Sequence, residues 1–170
     1  MHGALRRAAA VAAATLVVGG CAGKRIERGV FHAPSGYRVT LPTDGAWRIV
    51  DDSRADLELR HRTVSAGMLV NGACDPALAR RAPNVLERHL LMGLRERTEL
   101  ARDEAPVNGR MASHRLLEGR MRDSDERVRV ESYVLRGERC VYDLLFVAEP
   151  ATFDDERPEF RRFVESFTGE

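Results

Sequence analysis

Residues 140–148, Cys140-Val-Tyr-Asp-Leu-Leu-Phe-Val-Ala148, are apolar at nearly every position, with Asp143 the one charge. A strand with one wet face alternates apolar and polar side chains. A strand covered on both sides reads instead as a continuous apolar run of this length. The stretch therefore predicts a central strand. Arg136-Gly137-Glu138-Arg139 turns the chain into it, and upstream Val128, Val130, Ser132 and Val134 alternate with charged residues and Tyr133 as a further strand. Asn108-Gly109, flanked by the polar-apolar runs Glu99 to Pro106 and Arg110 to Glu118, is a strong hairpin signal, because a type I′ turn needs positive φ at both positions.

Shorter strands are expected earlier in the chain. Tyr37 to Leu41 alternates and stops at Pro42, Thr43-Asp44-Gly45 supplies a turn, and Ala46 to Val50 follows with Trp47 as a core anchor. Asp56 to Arg62 places Leu57, Leu59 and His61 on one face, and Gly67 to Asn71 reads as another strand. Two helices complete the set. The first runs from Pro83-Asn84 to about Arg97, with Leu86, Leu90 and Leu94 on one stripe. The second begins near Arg157 or Pro158 and carries Phe160, Phe163, Val164 and Phe167 at helical spacing. The expected fold class is α+β: an antiparallel β-sheet flanked by helices.

The opening residues read as an export signal. Arg6 and Arg7 precede about eleven small or apolar residues, Ala8 to Val18, and then Gly19, Gly20 and Cys21. An eleven-residue helix spans roughly 16 Å, about half a hydrocarbon core, so this stretch is not a transmembrane helix. Val18-Gly19-Gly20-Cys21 resembles a bacterial lipobox, which makes Cys21 the expected lipid attachment site, carrying diacylglyceryl and palmitate-type chains. Ala22 in place of aspartate favours the outer membrane over the inner one. Residues 1–20 are then the signal peptide, 21–30 a short acylated tether and 31–170 a single domain of a size that supports one core.

Composition removes one partner class. The chain has 27 basic and 26 acidic residues, and without Arg6 and Arg7 the balance is close to neutral. Such a domain has no overall field to hold nucleic acid. Cys74 and Cys140 remain once Cys21 is used. In an oxidising envelope they can form one disulfide, or they can be two buried thiols; their spacing is not that of a zinc site.

The order of landmarks resembles the PsbP-like (Mog/PsbP) fold, whose bacterial branch includes DcrB-type lipoproteins. The segments that carry the resemblance are GYRVTLPTDGAW at 36–47, VLERHLLMGLRER at 85–97, VNGR at 107–110, ERCVYDLLFVAEP at 138–150 and FRRFVESF at 160–167. The resemblance implies an αβα sandwich over residues 31 to 168 and a noncatalytic module. Members bind proteins, a photosystem's lumenal face in one branch and a small GTPase in another. It carries no functional residues over to this chain.

The residues themselves point to no reaction. HExxH, GxSxG and a glycine-rich phosphate loop are all missing from the sequence. His32, His61, His89 and His114 are expected to be hydrogen-bonded structural side chains, and Asp143 to pair with Arg129 or Arg136 across the sheet. Asp51-Asp52 and Asp123 to Glu126 read as solvated turns rather than calcium loops. No catalytic, cofactor-binding or metal-binding residue is expected. The expected role is that of a membrane-anchored envelope lipoprotein that binds a protein partner. A carrier of a small molecule or lipid is the alternative, and a hydrolase would need His61 or His114 beside an acid or Cys140.

Overall fold

The computed structural model describes residues 23–80 and 91–169. Among these residues ten strands form two sheets: β1 Arg25–Glu27, β2 Val30–His32, β3 Arg38–Thr40, β4 Trp47–Ile49, β5 Leu57–His61, β6 Ala66–Ala73, β7 Leu94–Val107, β8 Arg110–Met121, β9 Arg127–Arg136 and β10 Val141–Ala148. The first three make a small sheet, and the other seven make one antiparallel sheet in the order β4-β5-β6-β10-β9-β8-β7. Strand β10 sits in its middle, paired along its full length with β6 on one side and β9 on the other. The apolar run at 140–148 thus takes the central place its composition predicts.

The C-terminal helix, Phe153–Glu165, packs on one face of the large sheet. Phe153, Phe160, Phe163 and Val164 are its buried stripe. Phe146 of β10 meets Phe153 and Phe160 at ring distances of 5.0 and 5.3 Å. The small sheet closes the end of this layer: Tyr37 lies 5.5 Å from Phe167, and Arg38 bridges to Thr168. On the other face, Leu91 and Leu94 pack with Leu117, Val128 and Val130, and Ala79 packs with Val134 and Val141.

The C-terminal helix starts four or five residues earlier than its proline suggests. Thr152 is its N-cap, Asp154, Asp155 and Glu156 fill the first turn, and Pro158 lies inside the helix. Acids in the first turn suit the positive end of the helix dipole, and the burial of Phe153 fixes the start.

Two further expectations are corrected. The middle helix was placed across 83–97, but Leu94–Arg97 opens strand β7; Pro83 to Leu90 lie outside the described residues. Leu94 is buried in a strand, opposite Met121, and Arg95 and Thr98 pair with Arg120 and Glu118 through a bulge. The polar stretch expected as a bare tether also holds strand structure. Arg25–Glu27 pairs with Val30–His32 through a tight Arg28-Gly29 turn, both at positive φ. Among the described residues the large sheet is covered by one long helix and a single helical turn, Pro76–Ala79. The fold is mostly antiparallel β with a C-terminal helix, and Asn108-Gly109 makes the expected hairpin, at φ 46° and 80°.

Candidate functional site

The helix-facing side of β9 carries an acid in the core. Strand alternation puts Glu131 with Tyr133 and Leu135 toward the helix, and its side chain is fully buried. Arg157 of the helix donates to it twice, at 2.8 and 2.9 Å, and Tyr133 donates at 3.2 Å. His114 of β8 donates through Nε2 at 2.9 Å, while its Nδ1 lies 2.5 Å from Asp103 of β7. Carboxylates only accept, so the ring that satisfies both is the imidazolium.

The charges in this chain hold one another. Burial disfavours the charged His114, but the hydrogen bonds to Glu131 and Asp103 outweigh it and raise its pKa. Burial also works against ionised Glu131, yet His114 and Arg157 lower its pKa to about 2. The result is a linked run of charges, Asp103–His114–Glu131–Arg157, joining three strands to the helix. With both ring nitrogens engaged, His114 has no free nitrogen to accept a proton from a substrate.

A second polar cluster lies at the far end of β10. Asp143 faces Asn71 across the ladder and accepts from its Nδ2 at 3.0 Å. Asn71 Oδ1 takes the amide N–H of Asp56, whose carboxylate accepts from Tyr37 at 3.1 Å and from the Gly72 amide at 2.9 Å. Burial raises the Asp143 pKa to about 6; the Asn71 hydrogen bond opposes this, and the charge of Asp56 adds to it. Neither expected arginine reaches Asp143. Arg129 pairs with Glu118 and Asp154, and Arg136 donates to the Ala79 carbonyl. The side chains of Arg129 and Asp143 point to opposite faces of the sheet, which the strand periodicity of β9 and β10 requires.

Next to this cluster, Cys74 and Cys140 are joined by a disulfide, with S–S 2.09 Å. It ties the end of β6 to the start of β10. Cys140 is therefore unavailable as a nucleophile. His61 caps its own turn: Nδ1 accepts from the Val64 amide at 3.1 Å, and the ring lies edge-on to Trp47 at 5.1 Å. Its Nε2 is 3.7 Å from Glu156. Each histidine thus stands beside an acid, His114 between Asp103 and Glu131 and His61 near Glu156, while Cys140 is held in the disulfide. His89 and Cys21 lie outside the described residues.

One of several surface grooves, of about 350 Å³, lies on the sheet face turned away from the C-terminal helix. Leu69, Leu145 and Val147 line it, with Arg48, Arg60 and Glu58 at one rim. Among the described residues, no cluster of three or more His, Cys, Asp or Glu side chains could hold a metal. No described helix is long and apolar enough to cross a membrane.

Sequence periodicity missed the Glu131 network, although a signal was present. If Val128, Val130, Ser132 and Val134 mark one face, Glu131 falls on the other face with Tyr133 and Leu135. An acid between aromatic and apolar neighbours on a helix-facing strand needs a cation.

No protein-family model and no curated protein matches the chain by sequence. Solved structures do match it. The solution structure of cyanobacterial PsbP (CyanoP) from Synechocystis sp. PCC 6803 is similar over 90% of this chain and 99% of that one, with TM-score 0.60 and 14% identity. LpqN of Mycobacterium tuberculosis, a protein described as involved in cell envelope biogenesis, is similar over 79% of this chain and 84% of its own, with TM-score 0.52 and 16% identity. A Bacteroides thetaiotaomicron protein is similar over 84% of this chain, with TM-score 0.59 and 7% identity; the chain spans about half its length. At these identities the likeness is one of architecture, and the architecture of this chain is PsbP-like.

Proposed function

We propose that the chain is a lipid-anchored protein of the bacterial envelope whose PsbP-like domain binds a protein partner without catalysing a reaction. The observation that carries the reading is Cys21, placed behind Gly19-Gly20 at the end of a short apolar run with arginines in front of it. Acylation there, with two or three chains, meets the requirement for stable anchoring. The Cys74–Cys140 bond suits an oxidising compartment. Similarity in fold to an envelope-biogenesis protein points the same way. The engagement of both His114 nitrogens and of both Cys74 and Cys140 supports a noncatalytic role. Ala22 directs the anchor to the outer membrane.

Metabolic labelling with radioactive palmitate, combined with fractionation and in-cell cross-linking, tests the proposal. Wild type is expected to take up label, to sediment with outer membranes and to cross-link to a specific envelope protein. Cys21→Ala is expected to lose all three. Equal labelling and sedimentation of the two forms would refute the anchor, and a wild-type domain that cross-links to no protein would refute the binding role. The groove on the open sheet face favours a second reading, a small-molecule or lipid carrier.

A further inference from the structure

The register of the large sheet sets one row of residues across five strands on the groove's face. Arg48 of β4 stands opposite Arg60 of β5, Arg60 opposite Gly67 of β6, Gly67 opposite Val147 of β10, and Val147 opposite Val130 of β9. Directly opposed residues of antiparallel strands project from the same face, with Cβ atoms about 5 Å apart. The row therefore reads: two cations side by side, one position with no side chain, then two valines.

Each part of that row has a consequence. Like charges directly opposed disfavour strand pairing. Glu58 relieves only one of them: it accepts from Arg60 Nε at 2.9 Å and is itself held by Ser53 at 2.5 Å. The Arg48 guanidinium has no hydrogen-bond or ion-pair partner among the described residues and lines the groove rim. Gly67 creates depth rather than relieving crowding, since a Cβ there would meet only the Leu59 carbonyl at an ordinary 3.5 Å. Beyond it, Leu69, Leu145 and Val147 remain partly exposed and form an apolar floor.

We propose that this groove binds a single-chain anionic amphiphile, a fatty-acid carboxylate. The carboxylate sits between Arg48 and Arg60, and the chain runs over Gly67 along Leu69, Leu145 and Val147. An anion without a chain would leave the apolar floor in water, and a neutral lipid would leave the two arginines opposed. The groove is near the low end of the roughly 300–1,000 Å³ typical of small-ligand sites, which suits one chain rather than two. The inference goes beyond the anchored binding role and does not depend on acylation of Cys21.

The test is photolabelling of the purified full chain, held in lipid nanodiscs, with a diazirine-bearing dodecanoate, followed by peptide mapping. Labels are expected on the peptides carrying Leu69 and Leu145–Val147, displaced by excess dodecanoate and not by dodecanol. Labelling should fall about tenfold in Arg48→Glu, the loss of one charge-assisted contact. It should fall as far in Gly67→Leu, which fills the groove without touching a charge. Arg48 is exposed and its variant exchanges a like-charge pair with Arg60 for an opposite-charge one, so it is expected to keep the wild-type circular dichroism and to melt no lower than wild type. Undiminished labelling of these peptides in Arg48→Glu, or equal displacement by dodecanol, overturns the proposal. Labels confined to exposed apolar side chains such as Met92 and Met111 overturn it as well. Cys21→Ala should label like wild type, so failure of the anchor and failure of the groove give different results.

Discussion

Glu131 is the residue on which the helix-facing polar network turns. It has no exposed side-chain surface, and its two oxygens accept from Arg157, His114 and Tyr133. Removing one partner of a buried ion pair costs about 3–5 kcal/mol, because the other charge stays buried. Glu131→Ala is expected to lose about that much by urea unfolding. The pH dependence follows from the two shifts. The lowered Glu131 pKa stabilises the fold above its ordinary 4.5 and is lost as pH falls from there toward 2. The raised His114 pKa stabilises fully below its ordinary 6.5 and is lost as pH rises through the higher folded value. The stability difference between wild type and Glu131→Gln should therefore be greatest between about pH 5 and 6 and shrink on both sides. A difference independent of pH would show that the network does not couple the two groups. Asp143 has the opposite sign. Its pKa rises from 3.8 to about 6, so ionising it in the fold is unfavourable and stability falls as pH rises across that interval. Asp143→Asn is expected to stabilise the protein by about 1–3 kcal/mol at pH 7.5 and to have no effect below about pH 4.

The C-terminal helix shows how an element absorbs a flaw. Pro158 is the sixth residue of Phe153–Glu165, beyond the first four whose amides have no partner within the helix. Its ring removes the bond that a residue at 158 would give to the Asp154 carbonyl, and it crowds that carbonyl. The helix holds because Phe160, beyond the proline, packs on Phe146 of β10 and Tyr133 of β9, and Phe163 is buried in the same core. Pro158→Ala should raise thermal stability, by about 1–3 kcal/mol at the midpoint, whereas Phe160→Ala should lower it by about 3–5 kcal/mol. Proline as a start signal misled by several residues here, since apolar burial of Phe153 outweighed the local rule. Leu94 misled in the same way: helical spacing and strand pairing can both bury a leucine, and only the partner, Met121 of β8, decides.

At the scale of the molecule, the disulfide closes a loop of 66 residues that contains β7, β8 and β9. Restricting a loop of that length in the unfolded chain stabilises the fold by roughly 4 kcal/mol in the chain-entropy picture. The double variant Cys74→Ser, Cys140→Ser should unfold at lower urea concentration by that order, and dithiothreitol should bring wild type to the same midpoint. Equal midpoints with and without reductant would remove the bond from the list of stabilising features.

Local pattern alone determined the central strand, the Asn108-Gly109 hairpin, the phenylalanine stripe of the last helix and the order of elements that resembles the PsbP-like fold. These depend on periodicity and turn conformation, which neighbouring residues set. The tertiary structure decided what depends on residues far apart in sequence. It placed Arg157 on Glu131 across 26 positions and Asn71 on Asp143 across 72. It joined Cys74 to Cys140, and it aligned Arg48, Arg60 and Gly67 in one row. Register and packing fix such contacts, and a one-residue slip of a strand would turn all of that strand's side chains to the opposite face.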